Sequence, residues 1–224
     1  MTEKNRNLTC ADCKARVCGN EEFSPETSYP AFCPTPGLQK GSENEAILAE
    51  ALSLYDEGRN REIMIAAAEV ENEGYCVWPR VEEIMRFAEK IGARRIGIAT
   101  CVGLLNEASI FAEMLRARGF EPVGIGCKAG SQLKVSVGIP EACTDVGPVM
   151  CNPILQAKKL EAEGTDLNVV VGLCVGHDSL FYKYSAAPVT TLITKDRVTG
   201  HNPAGPLYTA KSYYKKLSRV PEKE

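Results

Sequence analysis

The sequence predicts an α/β protein: a Rossmann-like parallel sheet of about four strands with helices on both faces, preceded by a cysteine-rich metal-binding module and helices. Three observations predict it. Short apolar runs alternate with helical stretches from Arg95 onward, the pattern of strands covered on both faces by crossover helices. Apolar residues at helical spacing, without strands, fill the chain from Glu43 to Gly92. Before them, Cys10, Cys13, Cys18 and Cys33 stand among prolines with no clear periodicity, so that segment needs something other than an apolar core to order it. The expected organisation is a metal-binding module over 1–42 and an α/β domain over 43–224.

Each element has its signal. Ala46, Ile47, Leu48, Ala51, Leu52, Leu54 and Tyr55 form a helical stripe that Gly58 stops, and a second helix covers about 61–73. Trp78-Pro79 opens a third, with Val81, Ile84, Met85, Phe87 and Ala88 inward and Gly92 near its end. The first strand is 95–100, its helix 105–118, and the second strand 122–126. A loop-rich stretch follows, then a helix at about 153–163, a third strand over 167–173, and a fourth over 189–194. Crossovers between them are expected to be right-handed.

Composition narrows the function. A chain of 224 residues, 44% hydrophobic, buries a sizeable core without crosslinks. The opening MTEKNRN is polar, and no run approaches the roughly 18 apolar residues of a membrane span. A cytoplasmic protein with no membrane partner is therefore expected, and in a reducing compartment ten cysteines read as metal ligation or redox chemistry. A net charge of −3 argues against a nucleic-acid partner; the basic, aromatic stretch from Lys211 to Arg219 reads as a solvated face. A small-molecule substrate or a redox partner protein fits better.

Three strands end alike, in Thr100-Cys101-Val102-Gly103, Gly126-Cys127-Lys128 and Leu173-Cys174-Val175-Gly176. The carboxyl ends of strands in an open α/β sheet form the ligand crevice, so these thiols are expected along one rim, about 4.8 Å from strand to strand. Cys143 and Cys151 lie in the segment that must pass the same rim. Together these five are candidate ligands of a shared cofactor, an iron–sulfur cluster of the 4Fe–4S kind or, as the alternative, zinc. Each cysteine taken singly also suits a small core residue, and Cys76, isolated before a helix, is read that way. Cys10-x2-Cys13 with Cys18 and Cys33 supplies four further thiolates, although this spacing matches neither a standard ferredoxin nor a zinc ribbon.

Polar residues gather after the third and fourth strands. His177, Asp178 and Ser179 open a helix whose amides can receive an anion, while Asp178 and Ser179 also suit plain capping. His201, the other histidine of the chain, follows Lys195 and Arg197. His177 and His201 are candidate ligands or proton carriers; with Asp178 and Lys195 they make the candidate catalytic set, Lys195 and Arg197 holding an anionic substrate or stabilising a reduced cluster. The enzymatic rival makes Cys101 a nucleophile activated by a helix start and His177. No phosphate loop, dinucleotide fingerprint or Gly-x-Ser-x-Gly elbow is present.

Cys10-Ala-Asp-Cys13, Cys151-Asn-Pro153, Gly172-Leu-Cys-Val-Gly-His-Asp178, Ala187-Pro-Val189 and Lys195-Asp-Arg-Val-Thr-Gly-His-Asn-Pro203 together resemble the bacterial and archaeal family catalogued as domain of unknown function 1847. The resemblance implies metal binding without an established reaction. It also implies an anaerobic setting that suits oxygen-sensitive clusters.

Overall fold

The structure, a computed structural model, describes residues 8–19 and 24–219. The opening MTEKNRN, read above as polar, lies outside the described residues. By compactness the chain forms two units, 1–65 and 66–224.

In the first unit, Cys10–Asp12 and Val17–Gly19 are single 3₁₀ turns. Thr9 and Asp12 cap the former reciprocally, the Thr9 hydroxyl accepting from the Ala11 N–H and the Asp12 carboxylate from the Thr9 N–H. Helix α1 is Glu45–Ser53, continued by a 3₁₀ turn at Leu54–Asp56. The expected apolar stripe is only partly covered, since Ile47, Leu52 and Leu54 stay exposed. Helix α2, Asn60–Gly74, runs across the division between the units and buries Ala66, Val70 and Gly74.

The second unit holds the sheet. Helix α3 is Arg80–Lys90, β1 Arg95–Thr100, α4 Leu105–Ala117, β2 Glu121–Gly126, α5 Pro153–Ala162, β3 Leu167–Val171, α6 His177–Tyr184 and β4 Val189–Ile193. A short α7, Gly205–Tyr208, follows. All four strands are parallel, in the order β2-β1-β3-β4. The expected α/β class, four strands and parallel pairing are therefore present. Strands β1 and β3 are central and buried almost end to end, whereas β2 and β4 are edges and only partly covered.

That order makes the chain travel one way from β1 to β2 and the other way from β2 to β3. With right-handed crossovers α4 and α5 fall on opposite faces. Helix α6, travelling as α5 does, packs beside it; α3 joins α4, Arg118 pairing with Glu82 at 2.5 Å. The face beneath α5 and α6 is one cluster of Ala99, Cys101, Cys127, Ala157, Leu160, Val170, Leu173 and Phe181. Gly172 ends β3 with φ +70°, and a Cβ there would meet Leu104 Cδ1 at 1.8 Å, so only glycine fits both the backbone and the space.

Candidate thiolate site

Strand order puts the reversal of winding between β1 and β3, the place where open α/β sheets form their crevice. The strand ends beside it are level. Thr100 pairs with Gly126 on one side and Val171 on the other, so the residues that follow, Cys101 and Cys127, continue adjacent strands at the same height. Backbone bonds hold them there, Cys101 N–H donating to Val171 O at 3.2 Å and Cys127 N–H to Thr100 O at 2.8 Å. Paired residues of parallel strands face the same way, and both thiols join the cluster under α5 and α6.

Cys151 arrives by a long excursion that is clipped back onto its own start. Leu133 bridges Val149, Lys134 N–H donates to Pro148 O at 2.9 Å, and Met150 N–H donates to Gln132 O at 2.9 Å. The Lys128 ammonium donates to Val149 O. Asn152 N–H then reaches Cys127 O at 2.7 Å, and the Asn152 side chain caps α5 by accepting from the Leu155 N–H at 2.9 Å, with Pro153 in the first turn. Cys174 follows β3, and its carbonyl accepts from the His177 and Asp178 N–H groups at 3.0 and 3.1 Å.

The sulfurs are surrounded by donors. Cys127 Sγ accepts from the Val102 N–H and Cys101 Sγ from the Gly103 N–H, both at 3.4 Å. Lys195 Nζ lies 3.5 Å from Cys101 Sγ, and an Arg197 Nη donates to Cys174 Sγ at 3.1 Å. Cys151 hydrogen-bonds both Cys127 and His177. The proton shared with Cys127 pulls the Cys151 thiol down to about 4; His177 and the positive charge of Lys128 work the same way against burial. Cys127 is driven far above its ordinary value, first by holding that proton toward Cys151, then by burial. The pair therefore keeps one proton, on Cys127.

Four of the five rim cysteines, Cys101, Cys127, Cys151 and Cys174, thus sit at one rim with His177, Lys195 and Arg197. Cys143 is exposed in a 3₁₀ turn at Glu141–Thr144, and its carbonyl, taken by the Lys134 ammonium, is the part engaged. His201 is turned into its own loop: its Nδ1 accepts from the Asp196 N–H at 3.1 Å, at a φ of +67°. Asp178 accepts from the adjacent Ser179 N–H, and the His177 and Asp178 amides are held by Cys174 O, so the first amides of α6 are already engaged; its N-cap is Gly176 and no side chain caps it. His177 lies by Cys151, whereas Cys101, the nucleophile of the enzymatic alternative, faces Gly103 and Lys195. Cys10 and Cys18 are exposed, Cys13 and Cys33 half-buried and Cys76 exposed. Among the described residues no group of three or more His, Cys, Asp or Glu side chains stands in a geometry to hold one metal ion.

Sequence reasoning missed the Cys127–Cys151 partnership and the buried Gln156. Gln156 is fully buried in α5 and its amide donates to Thr100 O at 3.1 Å and Ile125 O at 2.8 Å, tying β1 to β2 behind the cysteines, while its Oε1 has no partner. The Asn-Pro start of α5 was the one sequence signal that its first turn would abut the rim.

Fold and site define a class: a parallel α/β protein whose switch-point crevice is lined by thiols. Residues 39–192 match the family described as Protein of unknown function (DUF1847), and the chain belongs to that family. It is 44% identical over 171 residues to Uncharacterized protein MJ0455 of Methanocaldococcus jannaschii, a match covering 76% of this chain and 88% of that protein. No solved structure matches. The matched family region takes in the rim cysteines and His177; Cys10 to Cys33 and Lys195 to His201 lie beyond it. Among the described residues no helix is long and apolar enough to cross a membrane.

Proposed function

We propose that this protein is a metal-thiolate protein of the reducing cytoplasm whose strand-end crevice holds an iron–sulfur cluster. It acts in electron transfer or in reduction of a small molecule, with a redox protein or that molecule as partner. The observation that carries the reading is the convergence of Cys101, Cys127, Cys151 and Cys174, with backbone N–H groups and two cations directed at their sulfurs. Such donors stabilise thiolate charge and tune iron–sulfur sites. The donor set is soft and all-sulfur apart from His177, which suits iron–sulfur or zinc and disfavours magnesium or calcium.

Zinc takes four ligands in a single shell about 2.3 Å from the metal, whereas a cluster gives each cysteine its own iron. The cluster would supply one-electron chemistry, and Cys101, Cys127, Cys151 and Cys174 would hold it. Lys195 and Arg197 would offset its negative charge. Cys10, Cys13, Cys18 and Cys33, with the Cys13 N–H closing a turn onto Cys10 O at 3.1 Å, are proposed as a second thiolate site, for iron–sulfur or zinc.

Metal and acid-labile sulfide analysis of anaerobically purified protein tests this. A brown protein with iron and sulfide, losing the crevice cluster's share of both in Cys101→Ser and Cys174→Ser, is expected. Colourless protein with stoichiometric zinc and no sulfide would replace the cluster by a zinc-stabilised structural role; protein with neither metal would end the reading.

A further inference from the structure

We propose that Cys151 and Cys127 form a disulfide-exchange pair that reduces low-molecular-weight disulfides bearing carboxylates. This goes beyond metal binding, although it uses two of the same thiols. The juxtaposition is built into the fold: the clipped excursion returns Cys151 to the end of β2, and the 2.7 Å bond between Asn152 N–H and Cys127 O fixes the two backbones beside each other. Their side chains pack together in the cluster beneath α5 and α6. Access is unequal, as exchange requires: Cys127 is 2% exposed, whereas Cys151 is only partly covered.

The order of events follows. Cys151, the more accessible sulfur, attacks one sulfur of the disulfide as its thiolate; a Cys151 mixed disulfide forms and the first small thiolate leaves. Buried Cys127 then attacks Cys151 Sγ, the mixed disulfide breaks, and its proton leaves with the second small thiol. The substrate gains two electrons and is released as two thiols; the protein keeps a Cys127–Cys151 disulfide. Charge selects the substrate. Lys128 lies beside Cys151, and Lys195 and Arg197 reach the neighbouring thiols Cys101 and Cys174, which outnumber the Asp178 and Asp196 carboxylates of the same two loops.

The test uses the full-length protein, its metal content measured before and after chelation, mixed with dithiodipropionate and mapped by peptide mass spectrometry. Wild type should end with a Cys127–Cys151 cross-link and no retained adduct. Cys127→Ser, with Cys127→Ala as a second variant, should retain mercaptopropionate on Cys151, and Cys151→Ser should show neither product. Cationic cystamine should react roughly tenfold more slowly at low ionic strength, the gap closing with salt. A lasting Cys151 adduct in chelated wild type, or a cross-link between other cysteines, overturns the pair; equal or faster reaction with cystamine overturns the substrate class. Absence of iron, sulfide and zinc would sink the metal reading alone, and a missing cross-link in metal-free protein would sink this one alone.

Discussion

Cys151 should be more reactive than an ordinary cysteine in acid and less reactive in alkali. Its thiol is pulled to about 4 against an ordinary 9.0, a gap of about five pH units. At pH 5 an ordinary thiol is ionised about once in 10⁴ molecules, while Cys151 is about nine-tenths thiolate. Lower basicity also costs nucleophilicity: with a Brønsted slope of about 0.45, five units remove a factor of roughly 180. The two effects leave Cys151 about 50-fold faster than a free cysteine peptide at pH 5, level near pH 7, and about 15-fold slower at pH 8. Dipyridyl disulfide reports the first attack across this range, with peptide mapping to assign it, on metal-free reduced protein. A Cys151 rate that climbs with pH as the free peptide's does would refute the shared-proton arrangement. His177→Ala should move the Cys151 profile toward higher pH, because the imidazole hydrogen bond and charge both favour the thiolate.

The same pair makes stability pH-dependent. Cys151 gives up its proton above about pH 4 in the folded state but keeps it to about 9 when unfolded, so its contribution is present above 9 and is lost as pH falls through 4. Cys127 has the opposite sign, its contribution being lost as pH rises beyond 9; urea midpoints of metal-free protein should therefore rise from pH 5 to 8. Gly172→Ala should lower stability by about 2 kcal/mol or more in urea titration, since the new methyl meets buried Leu104 at a positive φ. Phe181→Ala should cost about 3–5 kcal/mol and also slow Cys151 at pH 5, because α6 carries His177 and buries Phe181 completely. Gln156→Leu should be near neutral, two lost hydrogen bonds of about 1 kcal/mol each being offset by removal of the buried, unpartnered Oε1, whereas Gln156→Ala adds a cavity and should destabilise by about 2 kcal/mol.

How much could be read in advance differs between strand and loop. The runs at Arg95–Thr100 and Leu167–Val171 are apolar on both faces, a local property that marks buried parallel strands wherever they are placed. Their register is not local. Whether Cys101 stands beside Cys127 depends on β1 pairing β2 with Thr100 opposite Gly126, and that follows from packing against α4 and α5. Cys143 and Cys151 looked equivalent in sequence because nothing local separates two cysteines in one long loop. The clips at Lys128, Lys134 and Asn152 bring Cys151 to β2 and leave Cys143 exposed.

By itself the sequence determined the α/β class, the four strand segments, and the recurrence of cysteine just past three of them. These are consequences of hydrophobic periodicity and chain position. Tertiary structure alone decided which thiols are neighbours, that His177 serves Cys151, and that Lys195 and Arg197 point at Cys101 and Cys174. Hydrogen bonds and charge act over a few ångströms of space, and the distances between residues far apart in the chain exist only once the strands have paired.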